Sequence, residues 1–155
     1  MNKLLQKLKT VKSPWVIILI GGPASGKSTL SSKIENCTVI CRDSIIMELD
    51  GSNDYHESYK RVSHKEVDAF LYKKLLSATK NKENVIIDML NLTSKRRRCN
   101  LANFGKAYTK LAVCMPFLDD REFEVRNNKR KIEENKFFSP DLYKFIISSY
   151  QKVDK

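Results

Sequence analysis

Residues Gly21-Gly22-Pro23-Ala24-Ser25-Gly26-Lys27-Ser28 fit the pattern G-x-x-x-x-G-K-[ST] at every fixed position. Such a run suits one kind of chemistry, the holding of a nucleoside triphosphate by its phosphates. Glycine at position 26 lets the backbone turn tightly enough for successive N–H groups, from Gly22 onward, to face an anion. A helix starting at about Lys27 would add its positive end beneath the phosphates. Lys27 is a movable point charge for the β- and γ-phosphates, and the Ser28 hydroxyl is a ligand for Mg²⁺.

Three further groups supply what phosphoryl transfer needs beyond binding. Asp88 closes the apolar run Val85-Ile86-Ile87, and an acid at such a strand end orients Mg²⁺. Arg42-Asp43 follows a second short apolar run; a carboxylate there can take the proton of an acceptor hydroxyl, so Asp43 is the expected general base. The alternative for Asp43 is a helix cap. Arg126 and Arg130 are four apart and share one helix face. Ahead of an irregular stretch from Glu133 to Phe138, they suit a lid that brings charge over the triphosphate on closing; the alternative is a solvated basic helix, supported by Lys129 and Lys131. Lys95-Arg96-Arg97-Arg98 opens a helix after the third apolar run. Four cations there could bind backbone phosphates of an oligonucleotide or form a solvated face.

The elements that must position these groups are legible as an alternation. Trp15 to Ile20 is apolar without a period-two pattern, as in a strand buried on both faces. Strands are predicted at Trp15 to Ile20, Cys37 to Cys41, Asn84 to Met89 and Leu111 to Met115. Helices are predicted from about Lys27 to Glu35, from Asp43 or Ser44 to near Gly51, from His56 to Thr79, from Thr93 or Ser94 to about Tyr108, from Asp119 to Arg130, and from Ser139-Pro140 to about Val153. Short apolar strands alternating with helices predict an α/β parallel sheet of about four strands with helices on both faces. Residues 1–14 are expected to form a short amphipathic helix, with Leu4, Leu5 and Leu8 on one side and Lys3, Lys7 and Lys9 elsewhere. Residues 15–155 are expected to be a single domain.

The formal charge of +11 over 155 residues favours a polyanionic partner, nucleic acid included. It also fits a chain simply rich in Lys and Asn. No stretch is long and apolar enough to span a bilayer. Cys37, Cys41, Cys99 and Cys114 show no Cys-x-x-Cys spacing and are expected to be small buried apolar residues in a reducing compartment, the cytoplasm of a cell or of a phage-infected host. His56 and His64 have no partners at metal spacing and are expected at the surface.

Together these segments resemble the 5′-hydroxyl polynucleotide kinase domain of the T4-phage type, within the AAA_33 group of small P-loop kinases. The resemblance runs from about Trp15 to Tyr150. Gly21 to Thr29 is similar to that family's phosphate loop, and Cys41-Arg42-Asp43 to its strand-end Arg-Asp, in which the Asp is the base. Val85 to Thr93 with Arg96 and Arg97 is similar to its strand-Asp-x-x-Asn-Leu segment and basic helix, with Asn91 at the Asn. Arg126-Asn127-Asn128-Lys129-Arg130 resembles its lid, and Ser139 to Tyr150 its closing helix. The resemblance implies a P-loop kinase fold with an arginine-bearing lid, ATP or another NTP as donor, Mg²⁺, and a 5′-hydroxyl end of RNA or DNA as acceptor. It implies Pro23, Ala24, Thr29 and Arg126 among the donor-binding residues, and Arg42, Asp43, Asn91, Arg96 and Arg97 on the acceptor side. Three positions depart from the pattern, all on that side: Ile46 where some relatives carry arginine, Met89 where some carry an acid, and Leu90 where threonine is frequent. Two other readings therefore stand beside the polynucleotide one. The first is a kinase for a small hydroxyl compound such as a nucleoside, sugar or antibiotic. The second is a nucleotide-binding module without transfer.

Overall fold

A computed structural model describes Gln6, Leu8 and residues 10–153. The expected positions of Leu4, Leu5, Lys3, Lys7 and Lys9 lie outside the described residues. Leu8 is helical and packs with Trp15 and Leu30.

Four strands form one parallel sheet in the order β2-β3-β1-β4. They are β1 (Trp15–Ile20), β2 (Thr38–Cys41), β3 (Val85–Asp88) and β4 (Thr109–Cys114). The helices are α1 (Lys27–Ser31), α2 (Arg42–Asp50), α3 (Tyr55–Arg61), α4 (His64–Lys80), α5 (Ser94–Leu101), α6 (Asp120–Glu134) and α7 (Pro140–Ser148). All six residues of β1 are buried. Side chains alternate across a strand, so β1 divides between two cores. Val16, Ile18 and Ile20 pack with Ile45 and Ile46 of α2 and Val67, Leu71 and Leu75 of α4, while Ile17 and Leu19 pack with Leu30 of α1 and Ile86. Burying each such side chain is worth about 1.5–3 kcal/mol.

A third, smaller core holds α6 against α7. The Phe123 and Tyr143 rings stack at 3.9 Å between centroids, the Tyr143 hydroxyl donates to the Leu118 carbonyl at 3.0 Å, and the Asn127 side chain bonds both the N–H and the C=O of Phe138. This small core, separate from the sheet, sets where the two arginines of α6 stand.

Several boundaries differ from the expected ones. The single helix expected from His56 to Thr79 is two, because Val62 is extended and the Ser63 side chain caps a new start by accepting from the Glu66 N–H. The α6 helix runs past Arg130 to Glu134, where i,i+4 pairs Lys129–Glu133 and Arg130–Glu134 continue it until Asn135 turns left-handed at φ 47°. Helices α1 and α5 stop early, at Ser31 and Leu101. Cys99 and Cys114 are exposed and Cys37 and Cys41 are only partly buried, so none of the four is the fully buried residue expected.

Candidate active site

The carboxyl ends of the parallel strands share one edge, where an open α/β sheet places its ligand crevice. β1 delivers the loop Gly21 to Gly26, β2 delivers Arg42 and Asp43, and β3 delivers Asp88. Register holds them together: Asp88 pairs with Leu19 on one side and Cys41 on the other. Gly21 accepts further restraint, its N–H donating to the Leu90 carbonyl at 3.1 Å. A cavity of about 700 Å³ opens at this edge. Its walls include Pro23 to Thr29, Asp43, Asp88, Arg126, Arg130 and Lys136.

The loop is shaped for close approach. Gly26 sits at φ 91°, a left-handed conformation, and caps α1. A Cβ on Gly21 would lie 2.8 Å from both Met115 Cβ and Ser25 Oγ. Lys27 is 8% exposed, and its Nζ donates to the Gly22 carbonyl at 2.6 Å and Ser25 Oγ at 3.3 Å. Burial brings its pKa down to about 8, against the pull of Asp88, with Arg130 pushing the same way as burial. A buried ammonium whose described hydrogen bonds go to a backbone carbonyl and a hydroxyl fits an anionic ligand, as triphosphate oxygens would be.

Asp88 is buried and accepts a hydrogen bond from Ser31 Oγ at 3.0 Å. Among the described residues no three His, Cys, Asp or Glu side chains gather as a metal cage. Ser28 and Asp88 instead offer two oxygen ligands at the cavity wall. That sparse set suits Mg²⁺, which keeps waters and phosphate oxygens in its shell.

Asp43 lies in the first turn of α2 but caps nothing: the N-cap is Cys41, without a side-chain cap bond. Its carboxylate forms an ion pair with Lys136 and is 41% exposed as a side chain. The Lys136 ammonium also stands 3.9 Å from the centre of the Tyr55 ring. Burial, followed by the nearby Asp43 charge, pushes the Tyr55 phenol upward in pKa. Arg126 and Arg130 both face the cavity; Arg126 Nη1 donates to the Ala24 carbonyl at 3.4 Å, and Arg130 Nε to Glu134 at 3.2 Å.

The expected acceptor residues separate. Arg42 lines the cavity, yet its guanidinium pairs with Asp68 of α4. Asn91 does not reach the cavity; it is buried at φ 50°, donating to the carbonyls of Leu19, Ile87 and Met89 and accepting from Asn100. Arg97 is likewise buried, donating to the carbonyls of Asn91, Leu92 and Lys152 and to Ser94 Oγ. Both tie the β3–α5 loop in place, so neither is free to bind an acceptor. Arg96 is exposed and outside the cavity wall. Lys136, Tyr55 and His56 also line the cavity, beyond the residues expected from the sequence. Lys136 had one available signal, a lone lysine in the irregular stretch after the lid arginines. His56 is no plain surface residue: it lines the cavity and its Nε2 accepts from the Phe137 N–H at 3.3 Å.

A model of the AAA_33 family, described as an AAA domain, matches residues 16–142. No curated protein sequence matches the chain. Among solved structures, a chain in the structure of the Pnkp1/Rnl/Hen1 RNA repair complex is similar with a TM-score of 0.71 and 21% identity, over 92% of this chain and 46% of that one. The present chain thus spans about half the length of that relative. A putative kinase from Chloroflexus aurantiacus matches with a TM-score of 0.61 and 19% identity, covering 90% and 78%. A gluconokinase from Sinorhizobium meliloti matches with a TM-score of 0.50 and 14% identity, covering 92% and 78%. At these identities the likeness is one of fold.

Proposed function

The chain belongs to the AAA_33 family, in a P-loop kinase fold, and we propose that it is an NTP-dependent polynucleotide kinase acting on the 5′-hydroxyl end of RNA or DNA. One observation carries the transfer reading: Lys27 and Asp43 face the same cavity from different strand ends. A triphosphate lying on the loop would present its terminal phosphorus toward an alcohol held at Asp43. Asp43 takes the proton of that alcohol as the new O–P bond forms and the bond to the β-phosphate bridging oxygen breaks. Lys27, Arg126 and Arg130 offset charge spread over the transferring group and the departing diphosphate. Ser28 and Asp88 would hold Mg²⁺, which when bound would supply positive charge against the phosphates.

The polymer reading is supported by exposed Lys95, Arg96 and Arg98 on α5 beside the same sheet edge, and by the net charge of +11. The neighbour in the RNA repair complex accords with it. One observation favours the second reading, a kinase for a small hydroxyl compound. Ile46 is 0% exposed within the main core. That position therefore offers an acceptor strand nothing.

The deciding experiment is incubation with γ-labelled ATP and Mg²⁺ against 5′-OH RNA and DNA oligonucleotides, nucleosides and sugars. Label at oligonucleotide 5′ ends is the expected result. Label on small hydroxyl compounds alone would replace the polymer reading with the second, and label on none would end both.

A further inference from the structure

Immediately after α6, three consecutive residues dock on α3 and on the base. Asn135 Nδ2 donates to Asp54 Oδ2 at 3.0 Å, Lys136 pairs with Asp43, and Phe137 bonds and packs on His56 with ring centroids 4.8 Å apart. Asn135 is left-handed at φ 47°, which turns the chain off the helix axis and toward α3. Lys136 is the buried member of its pair, with 10% side-chain exposure against 41% for Asp43. Burying an ammonium costs free energy unless a carboxylate and a ring face offset it, and Lys136 has both, in Asp43 and Tyr55. Arg126 and Arg130 lie on the same continuous element as this strap.

We propose that Lys136 is a positioning residue for Asp43, delivered by the same element that brings Arg126 and Arg130 to the donor. This rests on the kinase reading above. Its consequence is that the acceptor side is in order only when the lid is seated on α3. Lys136 reaches the reaction through Asp43, fixing where the carboxylate meets the incoming hydroxyl.

The test compares wild type with Lys136→Met and Lys136→Arg, using whichever acceptor wild type labels and a fluorescent ATP analogue for donor binding. Lys136→Met is expected to lose about 100-fold in kcat, the scale of a misplaced reacting group, with donor affinity within twofold of wild type. Lys136→Arg, which keeps the charge, is expected to recover most of that loss; a merely structural lysine would not give this split. A second readout needs no turnover. Brief acetylation followed by mass spectrometry should find Lys136 protected in wild type and reactive in Asp43→Asn. Unchanged or faster kcat in Lys136→Met, or a Lys136 that acetylates freely in wild type, would overturn the positioning role while leaving the kinase reading intact. A wild type that labels no acceptor would remove both.

Discussion

Ser31 Oγ donates to the Asp88 carboxylate at 3.0 Å, joining α1 to the end of β3. Ser31 is one helical turn beyond Lys27, so the helix that carries the loop lysine also aims the acid beside it. Substituting a hydrogen-bonding partner behind a metal ligand costs about 10–100-fold in metal affinity or activity. Ser31→Ala should therefore raise the Mg²⁺ concentration for half-maximal rate by about tenfold with the fold unchanged. Asp88→Asn should raise it further. A Mg²⁺ titration of initial rates checks both, and equal requirements in all three proteins would detach Asp88 from the metal.

Lys27 has a pKa of about 8 in the folded chain against an ordinary 10.5, chiefly through burial. Between those values the unfolded chain binds more protons than the folded one, so this group's contribution to stability rises with pH across that window. Below about pH 8 the cost of burying the charge is present in full. A triphosphate restores the charged form, so nucleotide binding at about pH 9 should take up a proton. Calorimetry in two buffers of different ionisation enthalpy measures that uptake. It should vanish in Lys27→Met, a variant that should also abolish transfer.

Asp43→Asn tests the base directly. The amide keeps the volume and cannot accept the proton, so nucleotide affinity should hold while kcat falls by about 10²–10⁴-fold. Lys136 then loses its counter-charge, and a lower melting temperature in the same variant would report that loss. Single-turnover kinetics with an acceptor oligonucleotide separate the chemical step from binding. An unchanged single-turnover rate would take Asp43 out of the reaction.

The elements that carry the phosphate-loop residues and Asp88 were legible because their determinants are local. Gly26, Lys27 and Ser28 are fixed by a turn and a helix start, and Val85 to Asp88 is a buried strand with its acid at the end. The break between α3 and α4 was also written locally, in Ser63 and Glu66 at capping-box spacing, and was outweighed by the apolar residues on either side of it. The surroundings of Asp43 were not legible for a different reason. Lys136 meets Asp43 across 93 positions of sequence, and no periodicity encodes such a contact. In Lys95 to Arg98, the pattern gives four cations and no sign of which one turns inward. The structure turns Arg97 inward to backbone carbonyls and leaves Arg96 in water.

Arg96 and Arg97, neighbours in sequence, should respond differently to substitution, one being exposed and the other buried. Arg97 makes four hydrogen bonds, to Asn91, Leu92, Ser94 and Lys152. Removing one partner from a buried set leaves the others unsatisfied at about 1–3 kcal/mol. Arg97→Ala should thus lower the melting temperature, by about 2–4 °C for each kcal/mol lost in a chain of this size. Arg96→Ala should leave the melting temperature alone. Its effect should appear in the oligonucleotide KM, which should rise uniformly across sequences, with the slope of log KM against log salt reduced by about one for the lost phosphate contact. Thermal melts beside KM measurements over a salt series distinguish the two. Should Arg96→Ala match wild type at every salt concentration, α5 would not touch the acceptor backbone, and the small hydroxyl compound would become the better candidate for the Asp43 side of the cavity.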